Sequence, residues 1–71
     1  MRKYGQILKL ERKTRKLSQE YLAREIGITQ QAVSYYENDI NIPSIDIIEA
    51  IADVYGISID ELIDHEIKRN W

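Results

Sequence analysis

The sequence predicts one small all-α domain made of five short helices. Apolar residues recur at helical spacing in successive stretches of roughly ten residues. A serine or threonine able to cap a helix precedes most of these stretches, and Gly27 and Gly56 follow two of them. The chain has 71 residues and no cysteine. We therefore expect a single domain over 1–71 that is stabilised by apolar packing alone.

The first helix is expected from about Tyr4 to Arg15, with Tyr4, Ile7 and Leu8 on its apolar side. Its C-terminal half is basic and contains Lys9, Arg12, Lys13, Arg15 and Lys16. Cations at this end also suit the helix macrodipole. The charges therefore have a structural explanation as well as a binding one.

Two amphipathic segments separated by one glycine form the most informative stretch, about residues 18–38. Gly27 follows Ile26, the last apolar residue of the first segment, where helices commonly end in a left-handed residue. Thr29 is a candidate N-cap for the next helix. Because so short a break makes the two helices cross steeply, the stretch predicts a helix-turn-helix. A small residue, Ala23, lets them approach closely.

Three helix starts show the apolar pair that staples an incoming chain onto a helix. The pairs are Leu17 with Leu22 around Ser18, Ile28 with Val33 around Thr29, and Ile57 with Leu62 around Ser58. Any small helical protein can show such caps. They therefore support the helix positions rather than a function.

The third helix, Thr29 to about Asn38, has two distinct faces. Ala32, Val33 and Tyr36 are expected to point inward. Exposed glutamines are usually only solvated, but the second helix of a helix-turn-helix enters the major groove, where Gln can bond adenine N6 and N7. The candidate base-contacting residues are therefore the uncharged outward set: Gln30, Gln31, Ser34 and Tyr35.

A loop at 39–43 precedes a fourth helix that runs from the cap Ser44 to Tyr55. Its expected buried stripe is Ile45, Ile48, Ile51, Ala52 and Tyr55. Ser58 and Glu61 form a capping box that opens a fifth helix, about 58–69.

In the fifth helix, Leu62 is expected to face the core, while isoleucines recur every four residues as a second stripe. We expect this stripe to be a homodimer interface made of Ile59, Ile63, Ile67 and Trp71. The alternative is that the first two isoleucines of the stripe complete the core of the monomer.

Charge is unevenly distributed in a chain whose net charge is -2. Residues 1–19 contain seven Lys or Arg and one acid, whereas residues 20–71 contain three basic residues and eleven acids. A phosphate backbone would therefore meet only the basic end. The acidic half is explained well enough as solvated helix faces.

These residues together resemble the Cro and phage-repressor helix-turn-helix family, often called Xre-like, from about residue 5 to 63. The motifs that carry the resemblance are Leu17-Ser18-Gln19, Leu22-Ala23, Gly27-Ile28-Thr29, Glu37-Asn38, Pro43-Ser44, and Ile51-Ala52 through Leu62. The resemblance implies a compact five-helix lambda-repressor-like DNA-binding domain whose third helix lies in the major groove. Gln30, Gln31 and Ser34 match the family's usual base-contacting positions.

The resemblance also implies a phosphate at Gln19, where the free amides of a helix N-terminus favour an anion. Arg12 and Glu37 match a pair that forms an internal ion pair in some relatives. Their expected role is to position the end of the third helix against the first. The full expected phosphate-contacting set is Gln19, Arg12, Arg15, Lys16, Thr29, Asn38 and Asn41.

Two positions depart from the family pattern. Asp39 and Ile40 stand where relatives commonly have glycine and a basic residue, so phosphate binding at this loop would use backbone amides and asparagine side chains. Glu11 stands where an aliphatic residue is common, and Leu10 would replace it after a small rotation of the helix. Fewer cationic contacts predict a shallow salt dependence.

The sequence therefore predicts a cytoplasmic transcriptional regulator that binds double-stranded DNA, most simply a repressor acting as a homodimer. No run of residues has the length of a membrane span, and no cofactor, metal or small-molecule ligand is expected. We expect no ligand-sensing domain in a chain of this length, so regulation would need a partner protein, proteolysis or the protein's own concentration. The alternative is an antitoxin-like or scaffold module that binds protein.

An enzyme is the least expected class. The sole histidine, His65, lies between Asp64 and Glu66, with no cysteine or second histidine to complete a metal or nucleophile site. It is read as a surface residue.

Overall fold

The computed structural model describes residues 4–62 and, over that range, shows helices and no strand. The helices are α1 (Gly5–Thr14), α2 (Gln19–Ile26), α3 (Gln30–Glu37) and α4 (Ile45–Tyr55), and a fifth helix begins at 59–62. The all-α fold class is confirmed, and the expected boundaries of the first four helices hold to within about one residue. His65, Ile63, Ile67 and Trp71 lie outside the described residues.

Serine and threonine hydroxyls cap the N-termini of three of these helices, as the sequence predicts. The hydroxyls of Ser18, Thr29 and Ser44 each accept a hydrogen bond from the backbone N–H three residues later. Ser58 and Glu61 form the expected capping box: the Glu61 N–H donates to the Ser58 hydroxyl at 3.1 Å, and the Ser58 N–H donates to the Glu61 carboxylate at 3.4 Å.

Helix α1 is capped differently, by a residue far away in the sequence. Tyr4 provides no side-chain cap. Instead the N–H of Gly5 donates to Oδ1 of Asp39 at 3.0 Å, across 34 residues. The carboxylate thus satisfies one free amide of the α1 N-terminus and ties α1 to the loop after α3.

Gly27 makes the bend between α2 and α3. Its φ of 77° is left-handed, and a Cβ added there would meet nothing within 4 Å. The requirement for glycine is therefore one of backbone conformation rather than of space. The bend confirms the expected helix-turn-helix.

The helices enclose one apolar core between them. Its buried members are Ile7, Leu8, Leu22, Ala23, Val33, Ile51, Tyr55 and Leu62. The first members of the three expected staples, Leu17, Ile28 and Ile57, pack against this core, and their partners Leu22, Val33 and Leu62 are buried in it.

The expected burial of Ile45 is wrong. Helical periodicity places Ile45 on the buried stripe of α4, but it is 58% exposed. Ile45 is the first residue of α4; the helix contacts the core from Ile47 and Ile48 onward and buries Ile51, Ala52 and Tyr55. Ile40 and Ile42 of the preceding loop are also exposed, by 62% and 56%.

Leu10 does not replace the aliphatic residue that Glu11 displaces. Leu10 is 43% exposed. Glu11 is instead half-buried, and its carboxylate accepts a hydrogen bond from Arg15 at 2.8 Å. The ion pair makes the expected rotation of the helix unnecessary.

Tyr55 joins α4 to α1 from within the core, where its hydroxyl donates to the carbonyl of Leu8 at 2.8 Å. Burial, and then the nearby charge of Glu37, raise the pKa of Tyr55, while the charges of Arg12 and Arg15 oppose the increase. The folded protein therefore resists ionisation of this phenol.

The raised pKa of Tyr55 should make the protein less stable in alkali. Above its ordinary pKa of 10.0, the phenol ionises in the unfolded chain and stays neutral in the folded one, so stability is complete below that pH and falls as the pH rises further. Tyr55→Phe should cost about 1 kcal/mol at neutral pH and reduce this decline. Urea denaturation of both proteins across the alkaline range measures the difference; parallel declines would contradict the prediction.

Candidate nucleic-acid interface

The outer face of α3 is polar and uncharged. Gln30, Gln31 and Asn38 are exposed, and Ser34 and Tyr35 are partly exposed. On the opposite side Val33 is buried, while Ala32 and Tyr36 are half-buried. The structure thus places the four candidate base-contacting residues on the solvent side of the helix.

Hydrogen bonds between side chains one turn apart organise this face. Nε2 of Gln31 donates to the hydroxyl of Tyr35 at 2.6 Å. Nδ2 of Asn38 donates to the carbonyl and the hydroxyl of Ser34 at 2.8 and 3.3 Å. These contacts orient two amide side chains before any ligand is present.

A buried ion pair between Arg12 and Glu37 fixes the C-terminal end of α3. Nε and Nη2 of Arg12 donate to the two oxygens of Glu37 at 2.7 and 3.0 Å. Nη1 of Arg12 donates to the carbonyl of Leu17 at 2.7 Å, and the Glu37 side chain is only 1% exposed. The hydrogen bond with Glu37 raises the pKa of Arg12, so the guanidinium remains charged.

Gln19 joins this pair, a contact that the sequence did not suggest. Its Nε2 donates to Oε1 of Glu37 at 3.0 Å. One carboxylate at the end of α3 therefore receives hydrogen bonds from α1, through Arg12, and from the first residue of α2. The contact spans 18 residues, and no local pattern signals it.

The basic residues in and directly after α1 differ in how accessible they are to a ligand. Nε of Arg15 donates to the carbonyl of Tyr55 at 2.7 Å, and the guanidinium lies 5.2 Å from the centre of the Tyr55 ring. Arg12 is buried. The two arginines thus bond within the fold, whereas the lysines are accessible: Lys13 and Lys16 are exposed, and Lys9 is partly exposed.

The loop after α3 uses its backbone amides internally. Asp39 has a left-handed φ of 60°, and its N–H donates to the carbonyl of Tyr36 at 3.3 Å. The N–H groups of Ile40 and Asn41 both donate to the carbonyl of Tyr35, at 2.9 and 3.4 Å. The expectation that these amides would bind phosphate is therefore wrong, because the end of α3 already occupies them. The exposed side chain of Asn41 remains accessible.

Neither a membrane span nor a metal cluster is found in the part of the chain that the structure describes. No helix within 4–62 is both long and apolar enough to cross a bilayer. Over the same residues, no three or more His, Cys, Asp or Glu form a group that could hold a metal ion.

Two helices joined at a glycine bend, the second of which presents an exposed and uncharged outer face, define a helix-turn-helix domain. The chain belongs to the helix-turn-helix family, whose model matches residues 8–62.

Two relatives are regulators by name. The chain is 35% identical over 60 residues to the uncharacterized HTH-type transcriptional regulator YobD of Bacillus subtilis (strain 168), covering 84% of this chain and 54% of that protein. It is 34% identical over 62 residues to the immunity repressor protein of Bacillus phage phi105, covering 87% of this chain and 43% of that one. The chain thus spans about half the length of these relatives.

Two solved structures have a similar fold. One is the P22 c2 repressor protein in complex with a synthetic operator, with a TM-score of 0.77, 24% identity, and coverage of 87% of this chain and 94% of that chain. The other is a chain of the SinR–SinI protein complex, with a TM-score of 0.79, 29% identity, and coverage of 92% and 64%. The fold is therefore shared with both of these proteins.

Proposed function

We propose that this chain is a sequence-specific, double-stranded DNA-binding transcriptional regulator of the repressor type, and not an enzyme. The observation that carries the proposal is the outer face of α3, which presents amides and hydroxyls to solvent. The C-terminal end of the helix is fixed by the ion pair of Glu37 with Arg12. Such a face can form the bidentate hydrogen bonds that distinguish base pairs in the major groove. The named relatives, a transcriptional regulator and an immunity repressor, support the same function.

The proposed contacts fall into two groups. Gln30, Gln31 and Ser34 would meet base edges, since they lie in the N-terminal part of α3 or one turn beyond it. Phosphates would meet four exposed residues, Lys16, Thr29, Asn38 and Asn41, and the helix N-terminus at Gln19, which is half-buried. We assign Arg12 and Arg15 to the internal framework rather than to phosphate, because all three guanidinium nitrogens of Arg12 and two of the three in Arg15 donate within the chain.

A homodimer on a two-fold related site remains a prediction. Of the four residues expected at the interface, only Ile59 lies within the described range, where it is half-buried. A single domain over 1–71 and a cytoplasmic location are likewise proposals.

Gln31→Ala should weaken binding to the specific operator by about 1 to 3 kcal/mol, because a bidentate contact to one base is lost. Binding to random duplex DNA should hardly change, since that binding depends on phosphate contacts. Selection from a random duplex library would first identify the operator, and titrations with operator and random duplex would then give both affinities. Gln6→Ala, which removes an exposed glutamine of α1, is the matched control. An equal loss on both kinds of DNA would refute the assigned role of Gln31.

A protein-interaction module is the second candidate function. Ile40, Ile42 and Ile45 are exposed around the loop before α4, and no Lys or Arg occurs from residue 37 to 66. Such an acidic, apolar surface suits a protein better than a nucleic acid. The library selection separates the two functions: a regulator enriches one roughly palindromic sequence, whereas an interaction module enriches none.

A further inference from the structure

We infer that Tyr35 determines sequence specificity indirectly, by holding Gln31 in position to read an A·T base pair. This inference rests on the proposed DNA-binding function and deepens it. It changes the expected role of Tyr35 from a base contact to a positioning residue. The observation behind it is the 2.6 Å hydrogen bond from Nε2 of Gln31 to the Tyr35 hydroxyl.

The position of the pair suits such a role. Gln31 is the second residue of α3, and the N-terminal residues of this helix would lie nearest the bases. Tyr35 is four residues later, so both side chains project from the same side of the helix. The tyrosine therefore lies behind the glutamine along the helix, further from the end that would enter the groove.

The side-chain carboxamide of Gln31 keeps one N–H donor and its acceptor oxygen free to contact a base. Gln31 has two N–H donors and one acceptor oxygen, and the contact with Tyr35 uses one donor. The remaining N–H and Oε1 match what adenine presents in the major groove, an acceptor at N7 and a donor at N6. Holding the amide by its second N–H therefore does not compete with recognition of adenine.

The tyrosine is the less exposed and less flexible partner of the two. Its backbone carbonyl accepts the N–H groups of Ile40 and Asn41, which holds the main chain at this position. Tyr35 is partly buried, whereas Gln31 is exposed. A glutamine loses much rotamer freedom when it binds, while a tyrosine has only two side-chain torsions to fix. The hydroxyl thus orders Gln31 before DNA arrives.

The decisive variant is Tyr35→Phe, which removes only the hydroxyl, with Tyr21→Phe on the exposed face of α2 as the matched control. Each protein is titrated with the operator selected by the wild type and with a series in which every base pair is replaced in turn. We expect Tyr35→Phe to weaken operator binding about 3- to 10-fold. The lost discrimination should fall at the base pair that Gln31→Ala also affects, and the double variant should bind no worse than Gln31→Ala alone.

Several results would overturn the inference. Discrimination lost at a different base pair would make Tyr35 a direct base contact, and multiplied effects in the double variant would show independent roles. Unchanged discrimination in Tyr35→Phe would remove the inference while leaving the proposed function intact. A wild-type protein that selects no operator would remove both.

A measurement on the free protein tests the contact itself. In a ¹H–¹⁵N spectrum, Tyr35→Phe should shift the side-chain amide resonances of Gln31, and Tyr21→Phe should not. Identical Gln31 resonances in all three proteins would show that the hydroxyl does not hold the amide.

Discussion

Glu37→Ala should lower the free energy of unfolding by about 3 to 5 kcal/mol, because it leaves a buried charge without its partner. The Arg12 side chain is only 9% exposed and would lose both hydrogen bonds to the carboxylate. Gln19 would lose its acceptor as well. A domain of this size has only about 3 to 5 kcal/mol of stability in total, so the variant should be largely unfolded. Urea denaturation followed by circular dichroism measures the change.

An exposed ion pair of the same protein provides the control for Glu37→Ala. Glu20 and Arg24 lie 3.2 Å apart on α2, with side chains 70% and 69% exposed. Glu20→Ala should cost less than about 0.5 kcal/mol, since water screens such a pair. Equal destabilisation of the two variants would show that burial of the Arg12–Glu37 pair has no energetic consequence.

Replacing both partners separates stability from positioning. Arg12→Met combined with Glu37→Leu buries no charge and should recover most of the stability lost in Glu37→Ala. Under the proposed function, this folded double variant should still bind random duplex DNA. It should bind the operator less tightly than wild type, because the end of α3 has lost its hydrogen-bonded anchor.

Gly5→Ala should destabilise the protein by about 3 kcal/mol, through overpacking together with a weakened hydrogen bond. A Cβ at this position would lie 2.5 Å from the carbonyl oxygens of Tyr36 and Glu37 and 2.8 Å from Oδ1 of Asp39. Two of these atoms belong to the backbone of α3, so a side-chain rotation cannot relieve the clash. The helices must move apart, and the contact between the Gly5 N–H and Asp39 must lengthen.

Denaturant unfolding of Gly5→Ala and of Gln6→Ala checks this expectation. Gln6 is the next residue of α1 and is exposed, so its replacement leaves the packing against α3 unchanged. Gln6→Ala should alter stability by less than about 0.5 kcal/mol. If Gly5→Ala lowered stability as little as Gln6→Ala, the close approach of α1 to α3 would not restrict position 5 to glycine.

The helices could be predicted because their signals are local. A cap such as Thr29, its staple partners and a terminating glycine all lie within a few residues of one another. The outward set on α3 followed from the same reasoning, since the spacing of Val33 and Tyr36 defines the inner face.

The contacts that position α3 could not be predicted in the same way, because they join residues distant in sequence. Asp39 caps a helix that begins 34 residues earlier, and Gln19 reaches Glu37 across 18 residues. The exposure of Ile45 and the engagement of Arg15 with Tyr55 likewise depend on how the helices pack. Periodicity assigns a residue to a face of its helix but does not say what that face meets.

The attachment of α3 through its inner side and its last residue has a consequence for engineering. Val33 and Glu37 contact the rest of the domain, whereas the solvent-side positions 30, 31, 34 and 35 have no part in the buried core or the ion pair. Those four positions could be randomised together while the scaffold stayed intact. The domain should therefore accept grafted recognition residues and serve as a small platform for retargeting.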